Sequence, residues 1–203
     1  MKSLLLMRNA KSSWKDHSLT DIERPLNKRG RLVSIFLGVL LKEHELVPQL
    51  ILSSSALRAR QTAEFLTGGA GYNGDIQYFS SLYMAEPAAY LGALSATPDE
   101  IERVMVVGHN PGIEGLMQML TRRIEALPAS SVVYISIPVR SWKNLTFDVE
   151  CELIEWFEFS EEEEEKAKEK GKGKAKEEKK SEKKAGDKEE KKVDGKAGKK
   201  SKK

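Results

Sequence analysis

The chain has 203 residues with 34 Lys+Arg, 31 Asp+Glu and 3 His, a formal net charge of +3. The surplus is local: residues 160–203 hold 18 Lys against 13 acidic residues, whereas residues 1–159 hold 16 basic and 18 acidic ones, a net of −2. A basic nucleic-acid-binding body is therefore not supported, and residues 1–159 are enough for one domain with its own core and short for two.

Residues 3–7 are a short apolar run, predicted as a buried first strand. The run is cut at once by Arg8 and is too short for the apolar region of a signal peptide. No stretch approaches the length of a membrane span, so a soluble cytoplasmic protein is expected. After a polar loop, Pro25 opens a helical pattern in which Leu32, Ile35, Phe36, Val39 and Leu40 recur at three- and four-residue spacing, ending near Glu45. A second apolar strand is predicted over 50–52. Ser53, Ser54 and Ser55 offer an N-cap to a helix over 56–67, and the Gly-rich stretch 68–74 reads as a loop. A third strand is expected over 76–79, a helix over 87–95, and a short helical start at Pro98-Asp99-Glu100. Residues 104–107 are the clearest buried strand. Gly108-His109-Asn110-Pro111-Gly112 breaks it, and a helix over 113–123 follows. Strands over 132–137 and 145–157 complete the pattern. Cys151, the only cysteine, excludes an intramolecular disulfide and reads as a small buried hydrophobe. Short apolar strands alternating with amphipathic helices predict an α/β fold: a three-layer α/β/α sandwich with a mostly parallel central sheet.

Three predicted strand ends carry polar clusters. They are Arg8-Asn9-Ala10-Lys11-Ser12-Ser13, then Ser53 through Thr62 with Arg58 and Arg60, then Gly108 through Gly112 with His109. In a parallel sheet all three meet at one edge, where ligands bind. Guanidinium forks and free helix N–H groups suit a phosphate dianion. Singly, each residue also has a plain structural role as a solvated or capping side chain; together they mark a phosphoryl site.

The segments LLLMRNAKSSW, RPLNKRGR at 24–31, SSSALRARQTAEFL at 53–66 and VMVVGHNPGIEGL at 104–116 resemble the histidine phosphatase superfamily, and within it the SixA-type phosphohistidine phosphatases. The resemblance spans about residues 1–120 and implies a phosphoglycerate mutase-like fold. It also implies a covalent mechanism in which a histidine after the first strand becomes transiently phosphorylated, with no metal or cofactor. This sequence has Asn9 at that nucleophile position. By the same resemblance Arg8 and Arg58 hold the phosphoryl group, His109 donates to its oxygens, and Ser12 contributes. Many relatives place a general acid after the third strand; Glu86 is the candidate here, while an acid would match better at the position of Met84. The three histidines lack metal-ligand spacing.

An asparagine amide nitrogen is delocalised into its carbonyl and is a poor nucleophile, whereas an imidazole nitrogen can attack phosphorus. Two readings follow. The first is a phosphohistidine phosphatase, acting on a phosphorylated protein or a small phosphorylated compound, whose Asn9 form is strongly impaired. The second is a non-catalytic module that binds phosphoprotein or inorganic phosphate. Residues 160–203 are Lys/Glu-rich and low in complexity, expected to be a disordered tail. Their lysines make an electrostatic arm for an acidic partner a further reading.

Overall fold

The computed structural model describes residues 1–159; the expectations for the 160–203 tail, its disorder and its acidic partner, lie outside the described residues. Six strands, Lys2–Arg8 (β1), Leu50–Ser54 (β2), Asp75–Phe79 (β3), Arg103–Gly108 (β4), Val132–Ile137 (β5) and Glu152–Phe157 (β6), form one sheet in the order β3-β2-β4-β1-β5-β6. The β3-β2, β2-β4 and β4-β1 pairs are parallel, and β5 and β6 join antiparallel.

Alternation along the strands builds two cores. Leu4, Leu6, Leu52, Val104 and Val106 pack on one face beneath helices Pro87–Ser95 (α3) and Gly112–Thr121 (α4). Leu5, Met7, Ile51, Met105 and Val107 face helices Lys28–Glu43 (α1) and Leu57–Ala70 (α2) on the other. Because side chains alternate with a period of two, a strand segment buried on both faces is apolar at every position, as Leu4–Met7 of β1 and Val104–Val107 of β4 are. The result is the expected three-layer α/β/α sandwich.

Helix α1 differs from its prediction in start and in face. It begins at Lys28 because the Asn27 side chain accepts from the Gly30 backbone N–H at 2.8 Å, capping the helix two residues after Pro25. Its buried residues are Gly30, Val33, Ser34, Leu37, Gly38 and Leu41, whereas Ile35 and Val39 are exposed. Two apolar stripes compete on this helix. The inward one contains the small residues Gly30, Ser34 and Gly38, which allow backbones to approach closely. A Cβ on Gly38 would strike the Leu66 carbonyl of α2, one on Gly69 the Ile35 carbonyl of α1, and one on Gly30 the Lys11 carbonyl.

That contact also explains why α2 runs through Gly68 and Gly69 instead of ending at Thr67. It stops at Gly71, whose φ of 64° is the left-handed conformation common at helix C-termini. The serines do not cap α2: Ser53 and Ser54 belong to β2, and the cap residue is Ala56. Pro98-Asp99-Glu100 is a turn closed by Ile101 N–H on the Pro98 carbonyl at 3.1 Å, with the Asp99 carboxylate accepting from Trp142 N–H. The last strand is shorter than expected, since residues 145–151 form a connection before Glu152.

The close helix pair makes a sharp contrast testable. Gly69→Ala places a methyl group against backbone and is expected to lower the unfolding free energy by about 2 kcal/mol, the scale of overpacking. Gly68→Ala, whose Cβ meets nothing within 4 Å, is expected to raise it by about 0.5 kcal/mol through helix propensity. Urea denaturation of both variants decides the point, and equal effects would sink the close-approach account.

Candidate active site

The parallel β1–β4 register sets Arg8 opposite Gly108, so Asn9 and His109 leave the sheet side by side. Asn9 N–H donates back to the Gly108 carbonyl at 2.9 Å, holding the two strand ends together. β2 contributes Ser54, and Arg58 projects from the first turn of α2. An open pocket of about 260 Å³ forms there, and Arg8, Asn9, Ser12, Arg58 and His109 all line it, with Lys11, Trp14, Arg24 and Met84. The four cationic side chains among these residues face no carboxylate of the pocket lining, which gives it the charge an oxyanion requires.

His109 is buried and has both ring nitrogens engaged: Nδ1 lies 2.8 Å from Asn9 Oδ1, and Nε2 lies 2.8 Å from Ser54 Oγ. Asn9 Nδ2 donates to the Ala10 carbonyl at 3.0 Å, which orients the amide with its oxygen toward the ring. An amide oxygen only accepts, so His109 carries its proton on Nδ1, and Nε2 accepts from the Ser54 hydroxyl. Burial, then the nearby Arg58 and Arg8 guanidiniums, push the His109 pKa down to about 4, against an opposing pull from Asp21. The imidazole is therefore neutral at pH 7.

Arg58 is buried and fixed from one side. Its Nη1 donates to the Asp21 carbonyl at 2.7 Å, and its Nη2 pairs with Asp21 Oδ2 at 2.9 Å. The same carboxylate takes Arg24 Nη1 on Oδ1 at 2.8 Å and the Tyr83 hydroxyl on Oδ2 at 2.8 Å. Burial raises the Asp21 pKa, but the Tyr83 hydroxyl and the two guanidiniums outweigh it and hold the carboxyl below its usual range. Arg24 also donates to Ser12 Oγ at 2.6 Å and to the Ser13 carbonyl at 3.2 Å. Ser12 thus reaches the pocket as a partner of Arg24. Arg8 donates Nη1 to the Leu127 carbonyl at 2.9 Å, tying the first strand end to the segment before β5.

Other residues singled out in the sequence lie apart from this centre. Glu86 precedes α3 as its N-cap residue, is exposed and does not line the pocket. Met84 does line it, with φ 48° and its sulfur 4.0 Å from Arg58 Nη2. Arg60 lies over the Tyr78 ring, 4.8 Å from its centroid. His44 sits 3.4 Å from Glu155 on the surface, and His17 does not line the pocket. The Cys151 thiol is buried, which pushes its pKa to about 11 and leaves it a packing residue.

Sequence reasoning missed Asp21, Arg24, Tyr83 and Trp14 as parts of the site. The Asp21-x-x-Arg24 spacing was a signal for an i,i+3 pair, but nothing local joins it to Arg58. Ser54 was read as a possible cap and as one of a strand-end polar cluster, but not as the partner of His109.

The buried imidazole has a measurable pH consequence. Below pH 6.5 the unfolded histidine takes up a proton that folded His109 refuses until about pH 4. Its contribution is therefore fully present above about pH 6.5 and is lost as pH falls toward about 4, by about 3 kcal/mol in all. Denaturation at stepped pH is expected to show this loss in the parent chain and a flatter profile in His109→Gln; parallel profiles would contradict a neutral buried ring.

No family model matches the chain. Residues of an uncharacterized chloroplastic protein of Arabidopsis thaliana are 32% identical over 153 residues, covering 70% of this chain and 70% of that protein. The crystal structure of an Agrobacterium tumefaciens protein assigned as the phosphohistidine phosphatase SixA superposes with a TM-score of 0.67 at 26% identity, covering 77% of this chain and 97% of that one. A structure of the protein histidine phosphatase SixA complexed with tungstate superposes with a TM-score of 0.60 at 20% identity, over 76% and 96% of the two chains. These likenesses, that to the Agrobacterium tumefaciens structure at 26% identity among them, show that the chain has the SixA-type fold of the histidine phosphatase superfamily.

Proposed function

We propose that the pocket receives the phosphoryl group of a phosphohistidine side chain on a phosphorylated protein, and that Asn9 leaves covalent turnover strongly impaired in this chain. The observation that carries both halves is the Asn9–His109 contact at 2.8 Å. Residue 9 stands directly beside His109, and on this reading the position of the nucleophile holds an amide. An imidazole at position 9 would form an N–P bond as the bond to the leaving nitrogen breaks, and water would then release phosphate. The amide nitrogen of Asn9 has no available lone pair and donates to the Ala10 carbonyl instead.

The remaining groups support binding and charge stabilisation. Arg8 and Arg58 present guanidiniums to a tetrahedral oxyanion, with Lys11 and Arg24 nearby. The Nδ1–H of neutral His109, now spent on Asn9, is the proton an incoming phosphoryl oxygen would accept. Phosphoryl transfer depends heavily on such positioning. Met84 in the pocket and the exposed position of Glu86 favour a phosphoramidate substrate. Phosphohistidine leaves readily once its ring is protonated and needs less help from an enzyme acid than an alkyl ester. The tungstate complex of the SixA neighbour shows that this fold holds a tetrahedral oxyanion in that protein.

A second reading, a binding module for phosphoprotein, a small phosphorylated compound or inorganic phosphate, rests on the same contact. Asn9 completes the Ser54–His109–Asn9 hydrogen-bond chain and leaves the cations in place.

Assays on a phosphohistidine protein and on a generic phosphomonoester separate the readings. Asn9→His is expected to turn over the phosphohistidine protein at least about a thousandfold faster than the parent chain, the scale of losing a nucleophile. Equal rates would overturn the nucleophile argument. In calorimetric titration the parent chain is expected to bind tungstate, and Arg58→Ala to weaken that binding by about tenfold to a hundredfold, as for a charge-assisted hydrogen bond.

A further inference from the structure

Trp14 stands at the mouth of the phosphoryl pocket and is 69% exposed. A single exposed apolar side chain needs no explanation, but this one is held in place. The Arg24 guanidinium carbon lies 3.1 Å from the centroid of its ring. Arg24 is itself buried and anchored by Asp21, Ser12 and the Ser13 carbonyl. One face of the indole is thus taken by a cation, and its orientation is set before any ligand arrives. The opposite face is open. Met84, 53% exposed, adds a second apolar surface to the same pocket.

The exposed lining therefore carries two apolar side chains, Trp14 and Met84, beside Lys11, while the guanidiniums of Arg24 and Arg58 are buried. An N-phosphorylated imidazole matches this division. Its phosphorus is bonded directly to a planar ring, so seating the phosphoryl group between Arg8 and Arg58 brings the ring to the mouth. Phosphoserine would offer one methylene at the same place. We infer that Trp14, braced by Arg24, is the platform on which the flat ring of the phosphorylated side chain lies, and that it sets the preference for a ring-borne phosphoryl group over an aliphatic one. This rests on the phosphohistidine reading above and assigns its specificity to a named side chain. Stacking supplies the discrimination, because a rigid aromatic face gains contact area at little entropic cost.

The test uses the full chain and three probes: tungstate, a peptide carrying a hydrolysis-stable phosphotriazole analogue of phosphohistidine, and the same peptide with phosphoserine. The parent chain is expected to bind the phosphotriazole peptide about tenfold more tightly than the phosphoserine peptide. Trp14→Ala is expected to erase that difference while tungstate affinity stays within about twofold, and Trp14→Phe to keep most of it. Trp14→Ala weakening both peptides equally, leaving the preference intact, or abolishing tungstate binding would overturn the platform. Absence of tungstate binding in the parent chain would instead overturn the phosphoryl-pocket reading on which it stands. Because the indole is largely exposed and Arg24 keeps its other three anchors, the variant is expected to retain the parent's unfolding midpoint.

Discussion

The site depends on one pairing, the parallel alignment of β1 with β4 that puts Arg8 opposite Gly108. Both strands are buried on both faces, so a slip of one residue would turn Leu4 and Leu6 toward the core now filled by Leu5 and Met7. Core packing thereby fixes where the chain leaves the sheet, and Asn9 and His109 emerge together as a result. Glycine at 108 keeps this exit close to α3, since a Cβ there would meet the Tyr90 ring. The Tyr90 hydroxyl, in turn, receives the His109 backbone N–H at 3.1 Å.

Charge in the pocket is arranged in two tiers. Arg58 and Arg24 share one carboxylate, Asp21, which is not part of the pocket lining, while both guanidiniums and that of Arg8 line the pocket. Two buried guanidiniums would repel without that partner, and a carboxylate within the lining itself would repel a phosphate. Placing Asp21 outside the lining resolves both demands. The neutral state of His109 follows from the same field: a protonated imidazole among these cations, out of water, is disfavoured.

Much of this was legible in the sequence because it is local or periodic. The β4 run Val104 to Val107, the helix over 87–95 and the strand over 132–137 follow from apolar pattern and from Pro87 opening a first turn. Arg8, Arg58 and His109 were legible as lining candidates because each ends a buried strand or lies just past one. What escaped was decided by contact between distant segments. Which of two apolar stripes on α1 turns inward depends on Gly30 and Gly38 meeting Lys11 and Leu66, and the continuation of α2 depends on Gly69 meeting Ile35. The Asp21 bridge joins a loop, a helix and the segment after β3 across sequence gaps of 37 and 62 residues. No pattern within any one of those segments announces it.

The same glycine contacts bear on the far end of α2. From Gly69 back to Arg58 is eleven residues, about 16 Å along a helix rising 1.5 Å per residue. α2 meets α1 backbone to backbone near one end and carries the Arg58 guanidinium, anchored by Asp21, near the other. A change in how α2 seats on α1 would thus reach the pocket through the helix backbone, with no lining side chain in between.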